Sequence, residues 1–188
     1  MTHLTIFDQE LARQLPDVHE LLLDANLVVH PAVARVALSG SRGPRDQPRP
    51  DSDVDLSLIV SAAALPASEP AREALLREAL ETTLRAWRAP VECDLAAIVD
   101  ERGCGLLCFA GTRSQAPECP AGGGCRFGIY KLQRGFAGYV PWEIIRLDLL
   151  YPAIEIWRRP PNPPRNRERH PFDAPDSLCY NAHSFSHP

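Results

Sequence analysis

The chain has 188 residues, of which 45% are hydrophobic, and its formal net charge at pH 7 is −4. This length and composition predict one domain with a hydrophobic core and room for an insert or a tail. The charge argues against a general nucleic-acid-binding surface and against an acidic disordered protein. No apolar run approaches the roughly 18 residues that a membrane span needs, and the N-terminus lacks the charged-then-apolar order of a signal peptide. We therefore expect a cytoplasmic protein without a membrane partner.

Helical periodicity dominates the N-terminal segment. Apolar side chains recur at spacings of three or four between residues 8 and 29, which predicts an amphipathic helix. Pro16 either breaks this helix in two or begins its second part, and Pro31 ends the segment. The apolar run at residues 33–38 predicts the first strand of a sheet.

A second helix is predicted at residues 69–87. Ser68 and Glu69 are able to cap it, and Pro70 is tolerated in the first turn of a helix. We expect this helix to pack on the sheet as scaffold, because it carries an apolar stripe that consists of Leu75, Leu76, Ala79, Leu80, Leu84 and Trp87.

Acidic residues open the strand between these two helices. The chain leaves the first strand through Gly40 and Ser41, continues as a polar loop rich in Pro and Arg, and enters an apolar strand at Asp53 and Asp55. Because successive side chains of an extended chain alternate sides, Asp53 and Asp55 point the same way, with Cα atoms about 7 Å apart. That separation suits one or two hard divalent cations.

A third carboxylate, Asp94, lies near the start of a strand predicted at residues 91–99. It shares a face with Glu92, whereas Cys93 lies on the other face. An aspartate inside an apolar strand is costly to bury unless it is paired or binds a metal. Three carboxylates on neighbouring strands suit Mg²⁺ together with substrate phosphates. Taken singly, each aspartate is better explained as a residue at a strand end.

The Gly40-Ser41 pair has the composition of a phosphate-binding turn. Glycine lets the backbone approach a ligand closely, and serine offers a hydroxyl and an N–H to phosphate oxygens. Arg42, Arg45 and Arg49 in the same loop could neutralise a triphosphate, although solvated loop arginines are more common. Arg42 is the best candidate of the three because it adjoins the Gly-Ser turn.

The order Gly40-Ser41, then Asp53-x-Asp55 entering a strand, then Asp94 on a later strand resembles the polymerase-β-type nucleotidyltransferase superfamily. The loop between Ser41 and Asp53 is one residue longer than in the minimal bacterial members. The resemblance implies an α/β (α+β) fold with a mixed β-sheet flanked by helices. It further implies that Asp53 and Asp55 hold two Mg²⁺ ions, that Asp94 binds the catalytic ion and helps to activate the acceptor, and that the Gly-Ser pair holds the triphosphate.

By the same resemblance, the expected activity is Mg²⁺-dependent transfer of a nucleoside monophosphate from an NTP, with ATP favoured, to a hydroxyl acceptor with release of pyrophosphate. The acceptor stays open. Antitoxin-type minimal members point to a partner protein or RNA, and the aminoglycoside nucleotidyltransferases point to a small molecule. The alternative from another class is a non-catalytic, zinc-stabilised binding module or antitoxin-type partner protein on the same fold. The complete set of three aspartates favours the enzyme.

Four cysteines are clustered in a segment rich in Gly and Pro, at Cys104, Cys108, Cys119 and Cys125. Four thiolates can close a structural zinc site and stabilise a loop that has little core. The spacings, C-x3-C and C-x5-C, differ from the C-x2-C of common zinc ribbons. Structural zinc and free buried thiols therefore stand as equal alternatives, ahead of a disulfide or redox role.

The segment at residues 127–140 is aromatic and basic. Lys131 and Arg134 would share a face on a helix and point in opposite directions on a strand. A solvated face is the more common outcome for such a pair, and contact with a triphosphate is the alternative. Residues 141–150 are compatible with a short helix and residues 151–158 with a strand.

The domain organisation follows from these segments. We predict a nucleotidyltransferase domain at residues 1–159, with its core at residues 33–99 and a cysteine-rich insert at residues 102–128. The extension at residues 160–188 is rich in Pro and Arg, has almost no aliphatic residues and shows no periodicity, which predicts a disordered tail.

Overall fold

The structure is a computed structural model, and it describes residues 1–45, 47–100, 106, 127–145, 150 and 152–160. Most of the cysteine-rich insert and nearly all of the C-terminal extension lie outside the described residues. The predicted zinc ligands Cys104, Cys108, Cys119 and Cys125 therefore fall where the structure gives no test.

A mixed six-stranded sheet forms the centre of the described chain, so the fold is mixed α+β. Its spatial order is β7-β6-β5-β4-β3-β8. The two central strands, β4 and β5, run parallel, and every other neighbouring pair is antiparallel. The strands are β3 (Val33–Ser39), β4 (Val54–Ser61), β5 (Cys93–Asp100), β6 (Gly128–Lys131), β7 (Gly138–Tyr139) and β8 (Ile154–Arg158). A separate pair joins β1 (Thr2–His3) to β2 (Val28–Val29) in antiparallel orientation.

Within the described residues, the α-helices beside the sheet are α1 (Gln9–Gln14), α2 (Pro16–Asp24) and α3 (Glu69–Ala86). The prediction that Pro16 interrupts the N-terminal helix is confirmed, because α1 stops before Pro16 and α2 starts at it. Proline is tolerated there since its missing N–H is unpaired in the first turn of any helix. Asp8 caps α1 by accepting a 2.8 Å hydrogen bond from the N–H of Glu10.

The predicted helix at residues 69–87 is confirmed as α3, with one correction at its start. Ser68 is the N-cap residue, but its side chain accepts no capping hydrogen bond. Pro70 explains part of this difference, because it removes one of the two N–H groups that an N-cap side chain normally binds.

Strand predictions agree with the structure to within a few residues. β3 begins at residue 33 as predicted and continues to Ser39, while β5 begins at Cys93, two residues later than expected. The strand predicted at residues 151–158 is the shorter β8. Of the helix considered at residues 141–150, the described part contains one 3₁₀ turn, Trp142–Ile144.

The main core lies on one face of the sheet, where side chains of the three helices pack against alternate strand residues. It includes Leu11, Leu22, Leu76 and Leu80 from the helices, and Leu38, Leu56, Leu58 and Leu95 from the strands. No helix in the described ranges has the length and apolar character that a transmembrane span requires.

The opposite face carries a smaller apolar cluster and the acidic residues. Alternation along β4 places Leu56 and Leu58 in the main core, while Ile59 belongs to the second cluster. Asp55 and Ser57 lie two and four residues before Ile59 in the strand, so their side chains point to the same face of the sheet as Ile59. The face of the sheet that is not used by the main core therefore becomes polar at the start of β4.

Candidate functional site

Three carboxylates meet at the start of the two parallel strands. Asp55 and Asp94 are direct neighbours in the parallel register of β4 and β5. Asp53 immediately precedes β4, and each of the three residues offers an oxygen within 4.8 Å of the other two. The sequence predicted these three residues as a cluster, and the structure brings them together.

The Gly-Ser turn lies directly beside this cluster. β3 ends at Ser39, which is paired with Asp55 across the antiparallel register, and Gly40 follows with a φ of 71°. A Cβ at position 40 would overlap Asp55 Oδ2 and lie 2.6 Å from Asp55 Cγ. Glycine is therefore required here both for its backbone conformation and for the close approach of the Asp55 carboxylate.

Asp55 is the carboxylate whose ionisation is most disturbed. Its pKa is raised from 3.8 to about 6, mainly by burial and next by the negative charges of Asp53 and Asp94, while Lys131 and Arg134 act in the opposite direction. Removal from water and nearby like charges both penalise the charged form of a carboxyl group. A divalent cation placed among the three aspartates would relieve this penalty.

Two basic side chains lie on the acidic cluster. Lys131 Nζ is 2.6 Å from Asp94 Oδ1, and both side chains are less than one-fifth exposed. Arg134 forms an ion pair with Asp53 and places its Nε 3.2 Å from Asp94 Oδ2. The expectation of a solvated basic face is therefore wrong for Lys131, because its position at the end of β6 turns it toward Asp94.

Gln133 fixes the turn that presents Arg134. Its Oε1 accepts a 3.0 Å hydrogen bond from the N–H of Leu95, and its Nε2 donates a 2.9 Å hydrogen bond to the carbonyl of Cys93. β6 pairs with β5 only over residues 97–99, so the side-chain amide replaces a strand partner on either side of Asp94. Sequence reasoning missed this residue, since a glutamine in a turn carries no local signal.

Of the predicted nucleotide ligands Gly40, Ser41 and Arg42, Ser41 lines a polar space beside the acidic cluster. Ser41, Arg49, Asp53 and Arg134 are among the residues that line a cavity of about 750 Å³, which we call the polar cavity. Arg42 supports its loop, because Arg42 Nε donates a 2.7 Å hydrogen bond to the carbonyl of Ser52. Ser52 in turn accepts a 2.9 Å hydrogen bond at Oγ from the N–H of Arg49.

The donor set of the acidic cluster fits a hard cation. It offers carboxylate oxygens without nitrogen or sulfur, which is the ligand type that Mg²⁺ prefers. Asp94 Oδ1 is buried and accepts no hydrogen bond of good direction from the described residues, and its 2.6 Å contact with Lys131 is an ion pair. An oxygen in this position is available to a metal once the lysine moves.

Cys93 does not contribute to the cluster, although it precedes Asp94. It belongs to the main core on the opposite face of the sheet, as the sequence predicted. Burial, followed by the nearby charges of Asp94, Asp55 and Asp53, raises the pKa of its thiol. A thiol that stays protonated is neither a nucleophile nor a metal ligand at neutral pH.

No protein-family model, no curated protein and no solved structure matches this chain. The functional assignment therefore depends on the geometry of the acidic cluster and on the sequence motif that it contains.

Proposed function

We propose that this protein is a Mg²⁺-dependent nucleotidyltransferase, which transfers a nucleoside monophosphate from an NTP to a hydroxyl acceptor and releases pyrophosphate. We also propose that the sheet has the topology of the nucleotidyltransferase fold. ATP is the favoured donor. One observation carries the proposal, namely that Asp53, Asp55 and Asp94 converge beside a Gly-Ser turn that only glycine can form.

The convergence of the three carboxylates argues for a function, because their mutual repulsion destabilises the folded protein. Three carboxylates within 4.8 Å of one another repel, and the pKa of Asp55 is raised to about 6 as a result of burial and this repulsion. A scaffold does not need such an arrangement at a strand start, where one polar residue would suffice. Oxygen-rich clusters of this kind are typical of sites that bring a metal and phosphates together.

Asp53, Asp55 and Asp94 would hold the metal. When bound there, Mg²⁺ supplies charge neutralisation for the phosphates and lowers the pKa of a coordinated hydroxyl. Gly40 and Ser41 offer a close backbone approach and a hydroxyl to the triphosphate. Arg134 adds a positive charge where the polar cavity borders Asp53.

The proposed transfer replaces one oxygen substituent of the α-phosphorus with another. The acceptor oxygen forms a new bond to the α-phosphorus, and the bond from the α-phosphorus to the bridging oxygen of the β-phosphate breaks. The hydroxyl proton passes to a carboxylate, for which Asp94 is the candidate, and the electron pair of the broken bond leaves with pyrophosphate. Catalysis here consists mainly of positioning and of charge stabilisation.

Transfer of label tests this proposal directly. Purified protein is incubated in a cell lysate with Mg²⁺ and each of the four NTPs labelled at the α-phosphorus, in parallel with NTPs labelled at the γ-phosphorus. We expect α-label, but no γ-label, to become attached to an acceptor, and this attachment to disappear with Asp53→Ala. Transfer of γ-label instead would indicate a kinase and contradict the proposal.

One observation favours a second candidate function. Lys131 and Arg134 already neutralise two of the three carboxylates, which is the arrangement expected if the cluster is a structural ion-pair network in a non-catalytic binding module. In that case Asp53→Asn removes one of the two carboxylates that pair with Arg134 and destabilises the protein, with or without Mg²⁺. In a nucleotidyltransferase, the same change chiefly abolishes the stabilisation that Mg²⁺ and NTP give to the wild type.

A further inference from the structure

A second cavity, of about 180 Å³, lies on the other side of the acidic cluster. We call it the apolar cavity. Its polar end is formed by Asp55, Asp94 and Lys131, and the hydroxyl groups of Ser39 and Ser57 lie nearby. The remainder of its lining is hydrocarbon, chiefly from Ala96, Ile129, Phe136, Val140, Ile145 and Leu150.

Strand geometry accounts for this division of polarity. Along β5, Asp94 and Ala96 face the same side, and along β6, Ile129 and Lys131 do so. Each strand therefore contributes one charged residue at the polar end and one apolar residue farther along the sheet. The opposite wall comes from Phe136, Val140, Ile145 and Leu150, of which the last three pack against the apolar cluster that contains Ala96 and Ile129.

The size and chemistry of the apolar cavity limit what it can hold. An engineered apolar cavity of roughly 150 Å³ accommodates a benzene molecule. A space of about 180 Å³ therefore holds one six-membered ring with a small substituent. A sugar, a nucleotide chain or a cationic aminocyclitol would leave many polar groups unpaired against Ile129, Phe136 and Ile145.

We propose that the apolar cavity is the acceptor subsite, and that it takes a hydroxyl group carried on a ring-sized apolar group. This inference depends on the proposed nucleotidyl transfer and names the acceptor class for it. With the ring against the hydrocarbon walls, the hydroxyl points to the polar end, where Asp94 is positioned to receive its proton. The hydroxyl oxygen then forms the bond to the α-phosphorus, and pyrophosphate leaves with the electrons of the bond that breaks.

The two cavities meet at the acidic cluster, which supports this assignment. Asp53 and Arg134 line the polar cavity, whereas Asp55 and Asp94 line the apolar cavity. A triphosphate matches the side with Ser41, Arg49 and Arg134, so the acceptor is left with the other side. The nucleobase fits the apolar cavity less well, because a ribose separates it from the α-phosphorus, while the occupant of this cavity directly abuts Asp55 and Asp94.

The test measures binding of small probes to the metal-free and nucleotide-free protein by titration in an NMR experiment. The probes are p-cresol, toluene and methyl glucoside, which present a ring with a hydroxyl, a ring alone and a polar ring. We expect p-cresol to bind, toluene to bind several-fold more weakly and methyl glucoside not to bind. Ala96→Leu and Ile145→Phe, which fill the cavity from the sheet and from the opposite wall, are each expected to weaken p-cresol binding at least tenfold.

One matched control and one outcome separate this proposal from the proposed function. Ala64→Leu makes the same change as Ala96→Leu at an exposed position and leaves p-cresol binding unaltered. A wild type that binds p-cresol but no NTP with Mg²⁺ would refute nucleotidyl transfer while leaving the ring pocket in place.

A further probe distinguishes two sources of the acceptor ring. N-acetyl-tyrosine amide carries the phenol ring of p-cresol on a peptide backbone. Binding as tight as that of p-cresol would indicate a side chain presented by a protein, and much weaker binding would indicate a free small molecule. The proposal is overturned if p-cresol does not bind, if both cavity-filling variants bind it as the wild type does, or if ATP without metal displaces it.

Discussion

Asp55 has opposite effects on folding and on binding. Its carboxylate contacts the Gly40 turn, and burial followed by the charges of Asp53 and Asp94 raises its pKa to about 6. Ionised Asp55 therefore destabilises the metal-free fold, but the same charge attracts a divalent cation. This conflict is typical of residues that are retained for binding rather than for stability.

Asp55→Asn is expected to stabilise the metal-free protein at pH 8. The side chain is partly open to solvent, which screens the repulsion, so we expect a gain of about 1 kcal/mol, or an increase in Tm of about 2–4 °C for a chain of this size. The same variant should lose any increase in Tm that Mg²⁺ gives to the wild type. Asp51→Asn is the control, because Asp51 is 80% exposed. A lower Tm for Asp55→Asn would contradict this account.

The free energy of unfolding of the metal-free protein depends on pH through Asp55. Between about pH 4 and pH 6 the folded protein binds a proton at Asp55 that the unfolded chain has already released. The free energy of unfolding therefore falls as the pH rises through this window.

Metal binding has the opposite dependence on pH, because the ligand must be deprotonated. We expect the affinity for Mn²⁺, measured by its paramagnetic resonance signal, to fall about fivefold from pH 6 to pH 5, and a flat profile would contradict this.

Gly40→Ala tests the turn beside Asp55. The change forces an L side chain into the left-handed region, which costs roughly 1–3 kcal/mol, and its Cβ displaces the Asp55 carboxylate. We expect both a lower midpoint in urea denaturation and weaker Mn²⁺ binding. Gly138→Ala is a matched control, since a Cβ there would meet nothing within 4 Å. Equal effects of the two substitutions would show that the turn has no special role.

At the scale of secondary-structure elements, the edge of β5 near Asp94 depends on one side chain. Gln133 hydrogen-bonds the backbone of Cys93 and Leu95, where β6 no longer pairs with β5. The turn that contains Arg134 is thereby held over the acidic cluster. Arg134 itself has a φ of 56°, and Gly135 follows with a φ of 82°, so the turn adopts a conformation that needs such support.

Gln133→Ala is therefore expected to loosen both the turn and the strand. Loss of two backbone partners should cost about 1–2 kcal/mol in urea denaturation, and the amide of Leu95 should exchange with solvent at least tenfold faster. Gln9→Ala, at an exposed position in α1, is the control and should change neither quantity. Unchanged exchange at Leu95 in Gln133→Ala would show that the strand edge does not depend on the glutamine.

The sequence was sufficient for elements that carry a periodic pattern. Apolar runs identified β3, β4 and β5, and period-3.6 spacing identified α3, because burial forces these patterns. The alternation of side chains along an extended chain predicted that Asp53 and Asp55 point the same way. The sequence did not assign to the site the residues that reach it from the end of β6 and from the turn that follows, namely Lys131, Gln133 and Arg134. Gln133, for example, bonds a residue 40 positions away in the chain.

At the scale of the whole molecule, the fold separates two chemical environments by one acidic cluster. The three α-helices described lie on one face of the sheet, and the apolar cavity lies on the other. The polar cavity is formed by loops at the strand ends, and the two cavities meet at Asp53, Asp55 and Asp94. Adjacent polar and apolar cavities of this kind suit a reaction that joins a triphosphate to a less polar acceptor. We propose that this cluster holds Mg²⁺ for an NTP.

Calorimetric titration of a non-hydrolysable NTP analogue, with and without Mg²⁺, tests this claim most directly. We expect the wild type to bind the analogue with Mg²⁺ and at least tenfold more weakly when Mg²⁺ is replaced by a chelator. Asp53→Ala and Asp55→Ala should lose the Mg²⁺-dependent part of the affinity, whereas Asp51→Ala should retain it. A folded wild type that binds none of the four NTP analogues in a metal-dependent manner would contradict the claim.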